Sequence, residues 1–347
     1  MAVTNTLYVT EPGTMVHKVD ERLVLRRESK VIADVPMLHL KQVALVGQGV
    51  EISTEAMLAL VERQIDLCFF SRTMRFRARV GGEVSLFGQL RFLQARFIDN
   101  PGQQLAVARS IVRGKLINQR RLLLRHYPEP SPPLKQMAKI IEGLPAVQDL
   151  DVLRGYEGQG AALYFGGLRG LIRGVREWGF TKREYYPPPD PINTLLSFGY
   201  SLLTREVLAA TYLVGFDPYL GFFHMLDYGR PSLALDLVEE FRPIIVDSLV
   251  LDLLNHQHLT LADFEQNSKT LPAADGGEPE SAKGGVRLKA AARSRFLEAY
   301  EQRMSERVLY EPLNTQQTYH KVIEAQARQV ARLVLGEIKQ YQPFIVR

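Results

Sequence analysis

Near residue 88 the spacing of the apolar residues changes period, so one uniform fold cannot serve the whole chain. Before that point the chain reads as short β-branched and aromatic runs, at 6–10, 22–25, 43–46 and 66–70. Turn residues separate them: Pro12-Gly13, Gly47 and Gly49. One short helix is expected over 53–64. Ser53 can cap it, and Met57, Leu58 and Val61 recur at helical spacing. Residues 75–80 alternate strictly, which sends Arg75, Arg77 and Arg79 to one face of a strand and Phe76, Ala78 and Val80 to the other. Gly81-Gly82 and Gly88 mark the break. Beyond them the period is that of a helix, over 89–98, 103–126, 134–141, 159–177, 191–214, 233–254, 294–308 and 315–341. The expected fold is α+β and multidomain: a β-rich N-terminal domain at 1–88, then a larger all-α domain at 89–347. A Pro-, Gly- and charge-rich stretch without aromatics makes a flexible loop near 266–286.

Composition enters where it excludes something. A single cysteine, Cys68, rules out an internal disulfide and a thiolate zinc cluster, and fits a reducing cytoplasm. It lies in an apolar strand run, where a buried small hydrophobe is the expected role. No apolar run approaches a membrane span. The net charge of +5 decides little, but its distribution does. From Arg72 to Arg125 there are twelve basic residues against Glu83 and Asp99, an excess of ten. Such a concentration suits a polyanion or a solvated face. On the helix at 103–126, Arg109, Arg113 and Arg120 return to nearly one azimuth.

No phosphate-cradling P-loop run and no paired-histidine zinc helix are present. His256 and His258 are two apart and read as surface residues on different sides of a helix. His224, by contrast, sits among Phe222, Phe223 and Met225. After a turn comes a helix for which Ser232 is a plausible N-cap. Asp236 and Glu239 share one of its faces, among Leu233, Leu235, Leu237, Val238 and Phe241. Carboxylates in such company are costly unless a cation neutralises them. Arg242, three residues from Glu239, can do so; a divalent metal held by carboxylate oxygens and one imidazole can do so too, with Mg2+ or Mn2+ the best match. Glu157 stands in the small-residue run Gly155-Tyr156-Glu157-Gly158-Gln159-Gly160, either open to close approach of a ligand or placed at a helix start by the macrodipole.

Taken together, several ordered motifs resemble the CRISPR-associated integrase and endonuclease family, the catalytic subunit of spacer acquisition. They are Arg154-Gly155-Tyr156-Glu157-Gly158, Pro188-Pro189-Asp190-Pro191-Ile192-Asn193, Leu195-Leu196-Ser197-Phe198-Gly199-Tyr200, Gly215-Phe216-Asp217-Pro218 with His224, and 232–243. Gln326-Ala327-Arg328 and Tyr341-Gln342-Pro343-Phe344 extend the resemblance to the C-terminus. The resemblance implies a metal held by Glu157, His224 and Glu239, with Asp236 supporting them. It also implies insertion of short DNA fragments into a CRISPR array, through attack of a 3′-hydroxyl on a phosphodiester at a repeat boundary. The implied partners are double-stranded and branched DNA, a second copy of the chain as homodimer, and a small second subunit. The first domain would then serve dimerisation and DNA contact. Phosphate contacts are expected from Arg75, Arg77, Arg79, Arg109, Arg113 and Arg120, and base stacking from Tyr8, Trp178, Tyr185 or Tyr186. Many relatives are more basic between Arg183 and Pro187, where this chain has Glu184-Tyr185-Tyr186. Two other readings fit the same residues: a metal-dependent nuclease of branched or repair DNA, and a non-catalytic DNA-binding scaffold whose acids are ion-paired.

Overall fold

Cross-strand pairing of the short β-branched runs builds the first part of the chain. Its strands are β1 (Thr6–Val9), β2 (Met15–Val19), β3 (Arg22–Arg27), β4 (Lys30–Pro36), β5 (Gln42–Val46), β6 (Glu51–Ile52), β7 (Asp66–Phe70) and β8 (Phe76–Val80). Helix α1 (Thr54–Glu62) is the element expected between the strand runs, and the Ser53 hydroxyl accepts from the Ala56 N–H at 3.2 Å as its cap. One sheet runs β1-β5-β7-β8, parallel except for β8; the other runs β4-β3-β2-β6. Their inner faces and α1 enclose Val16, Leu23, Met37, Leu45, Leu60 and Leu67. The β3–β4 hairpin turns on Glu28 and Ser29, both at positive φ (48° and 65°). Neither residue is a usual signal for that conformation, so β4 goes beyond what the sequence pattern predicts.

The computed structural model describes residues 6–40, 42–70, 76–81, 88–127, 131–185, 187–266 and 285–346. Arg72, Arg75, Tyr186 and nearly all of the expected loop at 266–286 lie outside them. The chain divides into two units, Met1–Gly88 and Gln89–Arg347. Among the described residues no helix is long and apolar enough to cross a membrane.

The second unit is helical, with two short ribbons added. Its helices are α2 (Gly88–Ile98), α3 (Pro101–Leu124), α4 (Pro132–Gly143), α5 (Leu150–Leu171), α6 (Pro191–Val214), α7 (Ser232–Val238), α8 (Ser248–Asn255), α9 (Ala290–Ser305) and α10 (Tyr319–Val334). The ribbons pair β9 (Phe264–Gln266) with β10 (Val286–Leu288), and β11 (Arg307–Tyr310) with β12 (Thr315–Thr318). The unit is therefore not all-α as expected, and 315–318 is strand rather than the start of the last helix. The helix expected at 233–254 is interrupted by a π-helical stretch over Arg242–Asp247. Ser232 does not cap α7: it is the first helical residue, and its hydroxyl donates back to Met225 O at 2.8 Å. Asp190 and Pro191 open α6 as a cap and first-turn proline, and Gly215 at φ 100° closes it.

The C-terminal segment after α10 returns to the middle of this unit. Glu240, 1% exposed, accepts from the Tyr341 hydroxyl (2.7 Å), the Phe344 N–H (2.6 Å) and Gln326 Nε2 (3.2 Å). Burial outweighs those donors and pushes the Glu240 carboxyl up to about 8. An acid whose folded value exceeds its ordinary 4.5 holds a proton that the unfolded chain has released. Stability from this group is therefore full below about pH 4.5 and is lost as the pH rises towards about 8, at no more than about 1.4 kcal/mol per pH unit. Glu240→Gln removes that slope. The variant's melting temperature relative to wild type should be higher at pH 9 than at pH 5, and an equal difference at both would show that Glu240 does not titrate in this range.

Candidate active site

The site is assembled on α3, α5, α7 and the loop before α7. Asp149 caps α5, accepting from the N–H groups of Asp151 (2.7 Å) and Val152 (3.0 Å), so the helix begins at Leu150. Glu157 is thus two turns inside the helix, and a helix-start role is corrected. Small residues next to it have a packing reason. A Cβ on Gly160 would overlap the Leu116 side chain, so glycine there lets α5 approach α3 closely. That approach brings Lys115, on α3, against Glu157.

The histidine loop is fixed by one buried carboxylate. Asp236 is fully buried, and its Oδ2 accepts from the N–H groups of Phe222 (2.5 Å) and Phe223 (3.0 Å). Its Oδ1 accepts from the His224 N–H at 2.9 Å and lies 2.7 Å from His224 Nδ1. Phe223 anchors the loop from below, packed with Leu105, Val112, Leu116 and Leu153, and Arg154 Nη2 donates to its carbonyl at 3.2 Å. Gly221 is required in the approach. A Cβ there would lie 2.6 Å from Ser232 C and 2.8 Å from Asp236 Oδ2. With Nδ1 turned to Asp236, Nε2 faces Glu239, 3.8 Å from Oε1.

Glu239, 2% exposed, is the centre of charge. Arg242 Nη1 lies 2.9 Å from Oε1 and Lys115 Nζ 2.6 Å from Oε2. Lys115 Nζ also lies 2.5 Å from Glu157 Oε1, so the two carboxylates face each other across one ammonium. Burial raises the Glu239 pKa, but the charges of Arg242 and Lys115 overcome it and hold the carboxyl at about 2. Burial likewise opposes the charged form of Lys115, and Glu239 and Glu157 reverse that, leaving its amine above the ordinary lysine range. Behind Arg242 the Tyr200 ring lies 4.8 Å from its guanidinium carbon, and Asp247 accepts from the hydroxyls of Tyr200 (2.6 Å) and Tyr164 (2.5 Å).

Of the expected site residues, Glu157, His224, Asp236 and Glu239 are brought together. The Arg242–Glu239 ion pair is present as well. In the sequence Lys115 is only one basic residue of many. Its position on α3 beside Val112 and Leu116, in an apolar stretch, is the available signal. Asp247 and Tyr164 give no signal, because the π-helical stretch that aims Asp247 inward leaves no mark in the periodicity; Tyr200 closes one of the resembling motifs, but nothing there announces its bond to Asp247. Arg77 and Arg113 are exposed. Arg79 pairs with Asp66 at 2.5 Å. Arg109 donates to the carbonyls of Pro145 (2.7 Å) and Val147 (3.3 Å), after α4, and Arg120 to that of Leu134 (3.0 Å), in the first turn of α4, so both fasten that helix to α3. Trp178 packs edge-on against Phe264 in the interior; Tyr185 is exposed, with the Arg183 guanidinium 4.4 Å from its ring centre. His256 and His258 follow the end of α8, so the different-sides argument does not apply. Both are exposed, with rings 6.1 Å apart.

The donor set suits a hard divalent ion. Glu157 and Glu239 would supply oxygens and His224 a nitrogen oriented by Asp236, and buried Glu239 Oε2 meets the Lys115 ammonium at 2.6 Å. The group is wider than a closed cluster. Among the described residues only Asp252, His256 and His258 bring three ligand atoms all within 4.8 Å of one another.

Acidic oxygens and one oriented imidazole on a helical scaffold make a donor set that fits a metal-dependent enzyme. Comparison with known proteins narrows that class. The family described as CRISPR associated protein Cas1 matches residues 7–302. CRISPR-associated endonuclease Cas1 1 of Moorella thermoacetica is 34% identical over 353 residues, covering 99% of this chain and 98% of the relative. A casposase bound to integration product shares the fold with a TM-score of 0.80 at 21% identity, over 97% of this chain and 92% of that one. A Cas6-RT-Cas1–Cas2 complex does so with a TM-score of 0.79 at 24% identity, over 98% of this chain, which spans 36% of that longer one. The chain belongs to the Cas1 family, the endonuclease and integrase of CRISPR adaptation, whose activity needs divalent metal ions.

Proposed function

We propose that Glu157, His224 Nε2 and Glu239 hold Mg2+ or Mn2+ and that this site joins the 3′-oxygen of an incoming DNA fragment to the phosphorus of a phosphodiester at a CRISPR repeat boundary, breaking the P–O bond to the neighbouring 3′-oxygen, which leaves as a hydroxyl. The observation that carries the reading is the convergence of two carboxylates and an Asp236-oriented imidazole from three separate segments. A bound ion supplies Lewis-acid stabilisation of the charge that develops on the phosphate and lowers the pKa of the attacking hydroxyl. Asp236 holds His224 in the tautomer whose Nε2 is free to ligate, and Arg242 fixes the Glu239 carboxylate. With water in place of the 3′-hydroxyl, the same groups serve strand cleavage. Joining both ends of a fragment takes two copies of the site, which supports a homodimer. A small Cas2-type second subunit would then hold the DNA between the copies, as the name of the matching Cas6-RT-Cas1–Cas2 complex suggests. We place the enzyme in the cytoplasm, where its DNA substrates are. The discriminating experiment supplies a repeat-containing plasmid, a 3′-hydroxyl duplex and Mn2+ or Mg2+. Joined product is expected, and cleavage of branched DNA without any joining would favour a repair nuclease.

The basic excess at 72–125 supports phosphate contact, and exposed Arg77 and Arg113 are the residues we assign to it first. Affinity for duplex DNA should fall steeply with salt. Arg77→Glu and Arg113→Glu should each flatten the log–log salt slope by about 1 for every phosphate the arginine neutralises in the wild type. Unchanged slopes in both variants would make those two residues ordinary solvated side chains.

A further inference from the structure

Lys115 has a place in the site that its long side chain does not need for packing. It projects from α3 into the gap between Glu157 Oε1 (2.5 Å) and Glu239 Oε2 (2.6 Å), with 9% of its side chain exposed. These are the oxygens assigned above to a divalent ion. An ammonium at contact distance from both and a divalent cation at contact distance from both would stand side by side as like charges, with little water to screen them. One must leave. The lysine is the one able to, since its ammonium ends a four-carbon stem with several rotatable bonds. Glu157 offers the way out, its side chain being 21% exposed where that of Glu239 is 3%.

We propose that Lys115 is an exchangeable counter-ion of the metal site: its ammonium neutralises the Glu157–Glu239 pair when no divalent ion is bound and gives up that position when one binds. The inference rests on the metal site of the preceding section. It explains how two acids from different segments, one on α5 and one just after α7, stay folded against each other without metal. It has a thermodynamic consequence. Metal binding must include the work of breaking two ion pairs, so the site binds metal more weakly than its donors alone would.

The test measures Mn2+ affinity of the full-length protein without DNA, from the electron paramagnetic resonance signal of free Mn2+. Wild type, Lys115→Met and Glu239→Gln are compared. Lys115→Met is expected to bind Mn2+ at least about tenfold more tightly than wild type, and Glu239→Gln to lose the site. Equal or weaker binding by Lys115→Met, with binding still lost in Glu239→Gln, overturns the exchange and leaves the metal site standing. Binding that Glu239→Gln leaves unchanged overturns the metal site, and the exchange with it. If Lys115→Met does not fold, Lys115→Gln serves the same comparison, because it removes the charge and keeps a hydrogen-bond donor for both carboxylates.

Discussion

Glu239→Ala is expected to lower strand transfer at a repeat end by at least about a thousandfold while DNA affinity stays within about twofold of wild type. The size follows from what converges on this side chain. Its two oxygens meet Arg242, Lys115 and, at 3.8 Å, His224 Nε2, and burial leaves it 2% exposed. Removing it takes away one of the proposed ligands and leaves two cations facing each other. Breaking a buried ion pair by deleting one partner costs about 3–5 kcal/mol, so Glu239→Ala should also melt several degrees lower. Glu239→Gln separates the two losses. It keeps the volume and one accepting oxygen but turns an N–H pair towards Arg242 or Lys115, so its melting temperature should recover only part of the way while strand transfer stays low. DNA binding is the control, because the arginines assigned to phosphate contact lie elsewhere. Full strand-transfer activity in Glu239→Ala would remove Glu239 from the ligand set. Activity lost together with DNA binding would point to general unfolding instead.

The ease of reading the fold from the sequence varies with how local each signal is. Helix α6 is legible to the residue, because an Asp-Pro start and a glycine stop bracket an uninterrupted helical period. The Ser53 cap of α1 is equally local. By contrast, β2 and β4 owe their strand form to pairing with β3, and the Glu28-Ser29 turn between β3 and β4 carries no glycine or asparagine to announce it. The start of α5 is masked by Gly155, Gly158 and Gly160, which look like loop and prove to be helical surface, Gly160 facing α3. The site follows the same rule. His224, Asp236 and Glu239 stand out because polar groups among apolar neighbours need an explanation. Lys115 does not, since the partners that define it come from α5 and from the residue after α7, over a hundred positions away in the latter case. Resemblance to a family ties Glu157 to the other two acids; spacing alone cannot do so.

Asp236→Asn tests whether the histidine is held as strictly as the geometry indicates. Four N–H donors converge on the Asp236 carboxylate: three main-chain groups from Phe222, Phe223 and His224, and the His224 ring at Nδ1. A carboxylate accepts all four, whereas an amide has one accepting oxygen and turns an N–H pair towards the others. Whichever way the substituted amide is flipped, at least one main-chain donor is left without a partner in a fully buried position. That should cost about 3 kcal/mol, and the melting temperature should fall accordingly. Loss of stability alone would not distinguish positioning from packing, so metal dependence is the deciding measurement. With its orienting partner gone, the imidazole is free to turn Nε2 away from Glu239 or to change tautomer, and ligand affinity falls by about 10–100-fold when such a partner is removed. The Mn2+ concentration giving half-maximal strand transfer should rise by that factor, and saturating Mn2+ should restore part of the activity. An unchanged Mn2+ requirement in a variant that merely melts earlier would mean that Asp236 anchors the loop but does not orient the ligand.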